Sequence, residues 1–182
     1  MLRSSNLRGI NIPGLESKLI ATLYADDTTV YLSKWDSLAD LNTILETWCL
    51  ASGAKFNTAK TEVIPIGSQE HRKRVIDSRM LREGGSPLPD GVRVAKDGET
   101  TRILGTWPGN KVKVANAWSI VFDKAQDTLD RWTEHHPTMN GRAMIARTLA
   151  GGLTQYLTAA QGMPRSVEER LDKIIMNFVW DG

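Results

Sequence analysis

Apolar and β-branched residues cluster in two short runs near the start of the chain. The first is 19–24, with Leu19, Ile20, Leu23 and Tyr24, and the second is 28–32, Thr28-Thr29-Val30-Tyr31-Leu32. The polar break between them, Ala25-Asp26-Asp27, predicts a tight hairpin. The period then changes to that of a helix, with Leu38, Leu41, Ile44, Leu45 and Trp48 on one face. Asp36 or Ser37 is placed to cap it, and Gly53 falls where a helix C-terminus favours a left-handed residue. Phe56 and residues 62–66 supply the next extended pieces. Strand, turn, strand, helix and strand together predict an antiparallel sheet with a helix packed across it.

The middle of the chain is punctuated rather than periodic. Gly84-Gly85-Ser86-Pro87-Leu88-Pro89-Asp90-Gly91 reads as a surface loop between two strand-like pieces. Gly98 marks a turn leading into a short strand over 102–107, which ends at Pro108-Gly109. The remainder is helical. Trp118, Val121, Phe122, Ala125, Leu129 and Trp132 form one apolar stripe, stopped by His135-His136-Pro137. The adjacent histidines would point apart on a helix and read as cations at its C-terminus rather than as metal ligands. A second helix over about 140–161 carries Ile145, Leu149, Leu153, Tyr156, Leu157 and Ala160, and Gly162 and Pro164 stop it. Gly151-Gly152 inside it costs roughly 1 kcal/mol per residue relative to alanine, which predicts a kink or the close approach of another backbone. Ser166-Val167-Glu168-Glu169 reads as a capping box for a third helix, whose buried stripe is Val167, Leu171, Ile174, Ile175, Phe178 and Val179. Three antiparallel helices joined by short turns form a small bundle.

The 182 residues fit one domain or two small ones, and 41% hydrophobic with 24% charged content is ordinary for a globular chain. Met1-Leu2-Arg3-Ser4-Ser5-Asn6 has no apolar core of signal-peptide length, and no run reaches transmembrane length. The expectation is an intracellular protein, nuclear or cytoplasmic, that is not secreted and does not engage a membrane. The one cysteine, Cys49, sits between Trp48 and Leu50 and is expected to be a buried small hydrophobe. A net charge of +2 is too small to argue for nucleic acid by itself, because the informative footprint is a cluster. One cluster exists: His71-Arg72-Lys73-Arg74, followed by Arg79 and Arg82. It reads either as a solvated helix face or as a set of phosphate contacts.

Asp26-Asp27 is the sharpest candidate for chemistry. Two ionised acids at a hairpin tip repel each other, and a divalent cation with hard oxygen ligands, Mg²⁺ or Mn²⁺, removes that repulsion. Nucleotidyl transfer requires such a cluster, since two metals about 3.5–4 Å apart clamp the attacking and leaving oxygens. The plainer reading is that aspartates favour turns.

Tyr24-Ala25-Asp26-Asp27 followed by Thr28-Thr29-Val30-Tyr31-Leu32 resembles the catalytic motif of reverse transcriptases, in the form used by non-LTR retrotransposons. The resemblance continues in order. Gly53-Ala54-Lys55-Phe56-Asn57 with Lys60-Thr61-Glu62 is similar to the next palm motif, and Arg102-Ile103-Leu104-Gly105 to the hairpin that grips the primer. Asn140-Gly141-Arg142 through Phe178-Val179-Trp180-Asp181-Gly182 is similar to the helical segment after the polymerase core. Gly105-Thr106-Trp107-Pro108-Gly109-Asn110-Lys111 and Ala160-Gln161-Gly162-Met163-Pro164 resemble fungal elements.

The resemblance implies an α+β fold: a partial polymerase palm over 1–112, an antiparallel sheet with a packed helix, then a three-helix thumb-like bundle over 113–182. It implies templated attack of a primer 3′-hydroxyl on the α-phosphate of a deoxynucleoside triphosphate, with two Mg²⁺ (or Mn²⁺) ions. Asp26 would be the bridging metal ligand and Asp27 the supporting acid, with Lys60 facing the triphosphate. Tyr24 and Ala25 would shape the hairpin, and Leu104 and Gly105 would support the primer terminus. Arg72, Lys73 and Arg74, and on the bundle Arg142, Arg147, Arg165, Arg170 and Lys173, are candidate nucleic-acid contacts, although charged residues also belong on any solvated helix face. Trp180 is expected to pack rather than stack on a base. The implied partners are an RNA template with a DNA primer, deoxynucleoside triphosphates and the N-terminal half of the polymerase domain. The family pattern also needs a third carboxylate on an earlier strand, and the eighteen residues ahead of Leu19 hold one acid, Glu16, beside the turn-like Ile12-Pro13-Gly14. The expectation is a truncated polymerase fragment, inactive alone. The alternatives are a non-catalytic nucleic-acid-binding module or a small structural or interaction protein derived from it.

Overall fold

The computed structural model describes residues 1–180. It is a mixed α+β chain that divides into two compact units, Met1–Lys96 and Asp97–Gly182.

In the first unit, β1 (Ala21–Tyr24) and β2 (Asp27–Val30) pair antiparallel, with Tyr24 opposite Asp27 and Ala21 opposite Val30. The ladder continues past the strands, as Tyr31 N–H donates to the Ile20 carbonyl at 2.8 Å. Ile10 and Leu19 then exchange two 2.9 Å bonds, so the N-terminal segment folds back along the hairpin. Gly9 is required there: its φ is +58°, and a Cβ would lie 2.3 Å from the Leu19 carbonyl oxygen. Helix α1 (Leu38–Ser52) follows, with the Ser37 hydroxyl accepting from Ala39 N–H and Gly53 ending it in the left-handed region. Leu41 is buried, whereas Leu38, Ile44 and Leu45 are half-buried and Trp48 is exposed. Phe56 lies in no strand; its ring rests on Trp48 with centroids 5.3 Å apart. Cys49 is half-buried, not buried as expected.

The sheet is smaller than the apolar runs predict. Only Glu62 and Val63 (β3) of 62–66 form a strand, and they pair in parallel with Arg93 and Val94 (β4). Parallel pairing follows from the intervening crossover, which carries α2 (Gln69–Ser78). Among the described residues α1 does not pack extensively on either sheet. The core here is sparse and includes Leu7, Ala21, Leu41, Val75, Leu88, Val92 and Ala95.

The second unit is helical: the single turn α3 (Val114–Ala117), then α4 (Ser119–Thr133), α5 (Met139–Gln161) and α6 (Arg165–Trp180), with α4, α5 and α6 packed together. Trp118, fully enclosed at 0% exposure, centres a cluster with Val121, Phe122, Leu157, Val167 and Leu171. Leu129, Ala146 and Phe178 form a second cluster. Thr138 caps α5, its hydroxyl accepting from Gly141 N–H. Four sequence expectations change. α6 begins at Arg165, so Ser166 lies inside the first turn rather than at the cap, and the Pro164 carbonyl accepts from Val167 and Glu168 N–H. Gly151 and Gly152 lie in one continuous helix with open space where a Cβ would be, so no other backbone approaches them. Tyr156 and Ala160 are exposed rather than buried, and Trp180 is exposed rather than packed. Asp181 and Gly182, part of the family-like C-terminal motif, lie outside the described residues.

The expected strand over 102–107 is a tight turn. Ile103 and Thr106 exchange two 2.9 Å main-chain bonds around Leu104 and Gly105, whose φ values of 48° and 82° are those a two-residue type I′ loop requires. The segment belongs with the helices: the Tyr156 hydroxyl donates to the Leu104 carbonyl, and Trp107 N–H donates to Gln161 Oε1 at 3.0 Å.

Candidate functional site: the Asp26–Asp27 hairpin

The β1–β2 ladder closes at Tyr24 and Asp27, leaving Ala25 and Asp26 as a two-residue loop. Ala25 has φ 51° and Asp26 is not in the left-handed region, the pattern of a type II′ turn. An alanine held there is strained by roughly 1 kcal/mol relative to glycine. The loop projects Asp26 at the tip and starts β2 with Asp27; both side chains are exposed, as is Tyr24.

Neither carboxylate has a hydrogen bond or ion pair among the described residues. A turn made by its aspartates would show side-chain bonds to nearby backbone N–H groups, and here the loop is held by strand pairing alone. The charges therefore contribute nothing visible to the turn. The set is also incomplete for two ions: among the described residues no three His, Cys, Asp or Glu side chains converge as metal ligands. Glu16 is exposed on the segment ahead of β1.

The other candidates lie on separate elements. Lys60 ends a single 3-10 turn, Thr58–Lys60, capped by Asn57 Oδ1, and its side chain is exposed. Leu104 and Gly105 lie in the second unit, as do Arg142 and Arg147. Arg142 donates from Nε to the Pro137 carbonyl and from Nη1 to the Phe178 carbonyl, both at 3.2 Å, tying the start of α5 to the end of α6. Arg147 and Lys173 are exposed, Arg165 pairs with Glu169 at 3.0 Å, and the Arg170 guanidinium lies 4.3 Å from the Phe122 ring centroid.

The basic cluster occupies α2, whose first turn Ser68 caps. Arg72 is buried and donates to the Gly67 carbonyl. Arg74 reaches His71 Nδ1 at 3.2 Å and the Leu81 carbonyl at 3.3 Å, while Arg79 donates to the Pro89 and Val92 carbonyls at 2.8 and 2.7 Å. Lys73 is exposed.

Asp36, weighed from the sequence only as a helix cap, has a larger role. It is 5% exposed. Its Oδ1 accepts from Arg8 N–H at 2.7 Å, and its Oδ2 accepts from Gly9 N–H at 3.0 Å, Ser33 N–H at 2.7 Å and the Ser33 hydroxyl at 3.0 Å. Burial pushes its pKa up, but the bonds from Arg8, Ser33 and Gly9 outweigh burial and hold it below the ordinary aspartate value. The signal available in sequence was Ser33-x-x-Asp36, a pattern able to close a turn on itself.

No helix among the described residues is long and apolar enough to cross a membrane. No protein-family profile matches the chain, and no curated protein and no solved structure is significantly similar to it.

Proposed function

We propose that this chain is part of an RNA-directed DNA polymerase of a non-LTR retrotransposon, built as a partial palm followed by a thumb-like helical bundle. The observation that carries the reading is the hairpin tip: two adjacent, exposed acids whose carboxylates have no partner among the described residues, on a loop already closed by its strands. Such a pair has no structural task, and the family-like motif order around it supplies a chemical one. Asp26 and Asp27 provide the acids, Lys60 offers an ammonium to the leaving triphosphate, and the Leu104-Gly105 turn supports the primer terminus. The described residues do not fit a two-ion Mg²⁺ site by themselves, because no third ligand joins the pair. In the proposed polymerase that carboxylate comes from another segment, and this chain alone is inactive. Its partners are RNA template with DNA primer and deoxynucleoside triphosphates.

The test combines primer extension with salt-dependent binding. With RNA template, DNA primer, nucleotides and Mg²⁺, the chain alone gives no extension. It binds the RNA–DNA duplex with an affinity that falls steeply with salt, as phosphate contacts require. Absence of duplex binding at low salt, or a flat salt dependence, overturns the reading. One observation favours a non-catalytic scaffold instead: the guanidiniums of Arg72, Arg74 and Arg79 are bonded to main-chain carbonyls. A folded chain that binds no duplex selects that reading.

A further inference from the structure

We propose that an open groove around Trp35, in the first unit, is a binding site for single-stranded nucleic acid, one base stacking on the indole and the flanking phosphates meeting Arg8, Lys18 and Lys34. The groove has a volume of about 410 Å³ and is lined by these four residues with Asn11, Ile10 and the adjoining backbone. That is within the roughly 300–1,000 Å³ of small-ligand sites, enough for a nucleotide unit. Trp35 is 61% exposed, so the indole is presented to solvent rather than used as core.

The electrostatics point the same way. Arg8, Lys18 and Lys34 are exposed, no acid lines the groove, and none of the three is in an ion pair among the described residues. Of the acids near these cations in sequence, Asp36 is turned inward, its oxygens already accepting from Arg8, Gly9 and Ser33, and Glu16 is exposed but does not line the groove. The Lys34 ammonium lies over the Trp35 ring, 4.7 Å from its centroid, and the Arg8 guanidinium 6.0 Å from it, so a stacking base takes the place of these cation–π contacts and turns both cations to the flanking phosphates. An aromatic ring among cations that have no acidic partner among the described residues is the composition that tracks a single strand, since every base has a π-face and every link a charge.

The platform is pre-set. The turn over residues 33–36 closes with Asp36 N–H donating to the Ser33 carbonyl at 3.1 Å, and Asp36 Oδ2 accepts back from Ser33 N–H and hydroxyl. Trp35 N–H donates to the Ser33 hydroxyl at 3.3 Å. The same carboxylate holds the backbone of Arg8 and Gly9, so one buried group fixes both walls of the groove. The site stands independently of the polymerase reading: it takes one strand, not a duplex, and uses none of the hairpin acids.

The experiment is fluorescence anisotropy of labelled oligo(dT) of about 12 nucleotides, with the parent chain, Trp35→Ala, Trp35→Phe and the triple variant Arg8→Gln, Lys18→Gln, Lys34→Gln. Circular dichroism checks that each is folded. Trp35→Ala weakens binding roughly 5- to 150-fold, the range for losing one stacked base, and Trp35→Phe restores most of it. The triple variant lowers the slope of log affinity against log salt by about 2, at about 0.7 per single-strand phosphate. If Trp35→Ala does not fold, Trp35→Leu, which keeps bulk without a π-face, replaces it and shows the same loss. Affinity unchanged in the folded Trp35 variants overturns the proposal, even where the triple variant loses binding, because that pattern is a non-specific polyanion surface. A loss in Trp35→Ala that is as large for the matching duplex as for the single strand also overturns it, because a paired base has no free face to offer the indole.

Discussion

Replacing Asp36 with alanine removes four acceptor contacts at once, three to main-chain N–H groups and one to the Ser33 hydroxyl. Hydrogen bonds to a charged acceptor contribute about 1.5–3 kcal/mol each, and a buried donor left unpaired costs about 1–3 kcal/mol. Gly9 N–H is buried, whereas the Arg8 and Ser33 donors are partly open to water that can replace the carboxylate. Counting about 1 kcal/mol for each of the four contacts gives a loss of about 4 kcal/mol for Asp36→Ala. Asp36→Asn keeps one oxygen for the Gly9 and Ser33 donors but turns its amide toward Arg8 N–H, for a loss of about 2 kcal/mol. Against a typical domain stability of about 5–15 kcal/mol, the alanine loss is large for the sparse first unit. Urea denaturation gives the overall change, and native-state hydrogen exchange at the Arg8, Gly9 and Ser33 amides localises it. The folded-state pKa of Asp36 is depressed, so its stabilisation is complete at neutral pH. It is lost as the pH falls below the ordinary aspartate value of about 3.9 and through the folded value; Asp36→Asn removes that component of the acid response. Asp36→Ala within about 1 kcal/mol of the parent, a single ordinary hydrogen bond, would refute the reasoning.

Gly151→Ala and Gly152→Ala should each stabilise the chain by up to about 1 kcal/mol, because the helix gains propensity and the added methyl meets nothing. Gly109→Ala should do the opposite in the same thermal melts, since its Cβ would lie 2.2 Å from the Glu99 carbonyl oxygen. In metal-free buffer Asp27→Asn should leave stability unchanged or raise it by a few tenths of a kcal/mol, as one exposed like-charge neighbour is removed. Clear destabilisation of that variant, with no response of the parent to millimolar Mn²⁺, would return the hairpin to a plain turn.

Helices α1, α4, α5 and α6 were legible because each carries a sustained stripe and local stop signals, whereas the polar α2 and the single turn α3 carry none. Ser37 and Gly53 bracket α1, and Val167, Leu171 and Phe178 are buried on α6. The hairpin was legible for the same reason, two β-rich runs around a short polar break. What sequence hid depends on distant or main-chain partners. A two-residue parallel pair such as Glu62-Val63 with Arg93-Val94 is too short to show a period. Leu104 does not advertise the left-handed backbone that turns 102–107 into a loop. The Asp36 cluster joins positions more than twenty residues apart through backbone N–H groups, which have no sequence signature. The basic run on α2 was visible, but not that the guanidiniums of Arg72 and Arg74 bond the main-chain carbonyls of Gly67 and Leu81 on either side of the helix. The acids of the hairpin were visible; a third ligand was not, and none converges with them among the described residues.

Arg79 has a consequence for how the chain tolerates change. Its guanidinium bonds the Pro89 and Val92 carbonyls, and its own carbonyl accepts from Leu88 N–H at 2.8 Å. The Gly/Pro-rich connection is therefore a clasp with two fixed ends and a free tip. Glu83, Gly84, Ser86 and Pro87 are exposed, whereas Leu88 is buried. An epitope tag or a new pair of termini belongs at Glu83-Gly84, where exposed loop tips accept insertions. The same insertion between Leu88 and Val92 opens the clasp and frees the C-terminal end of α2 from the segment that leads into β4.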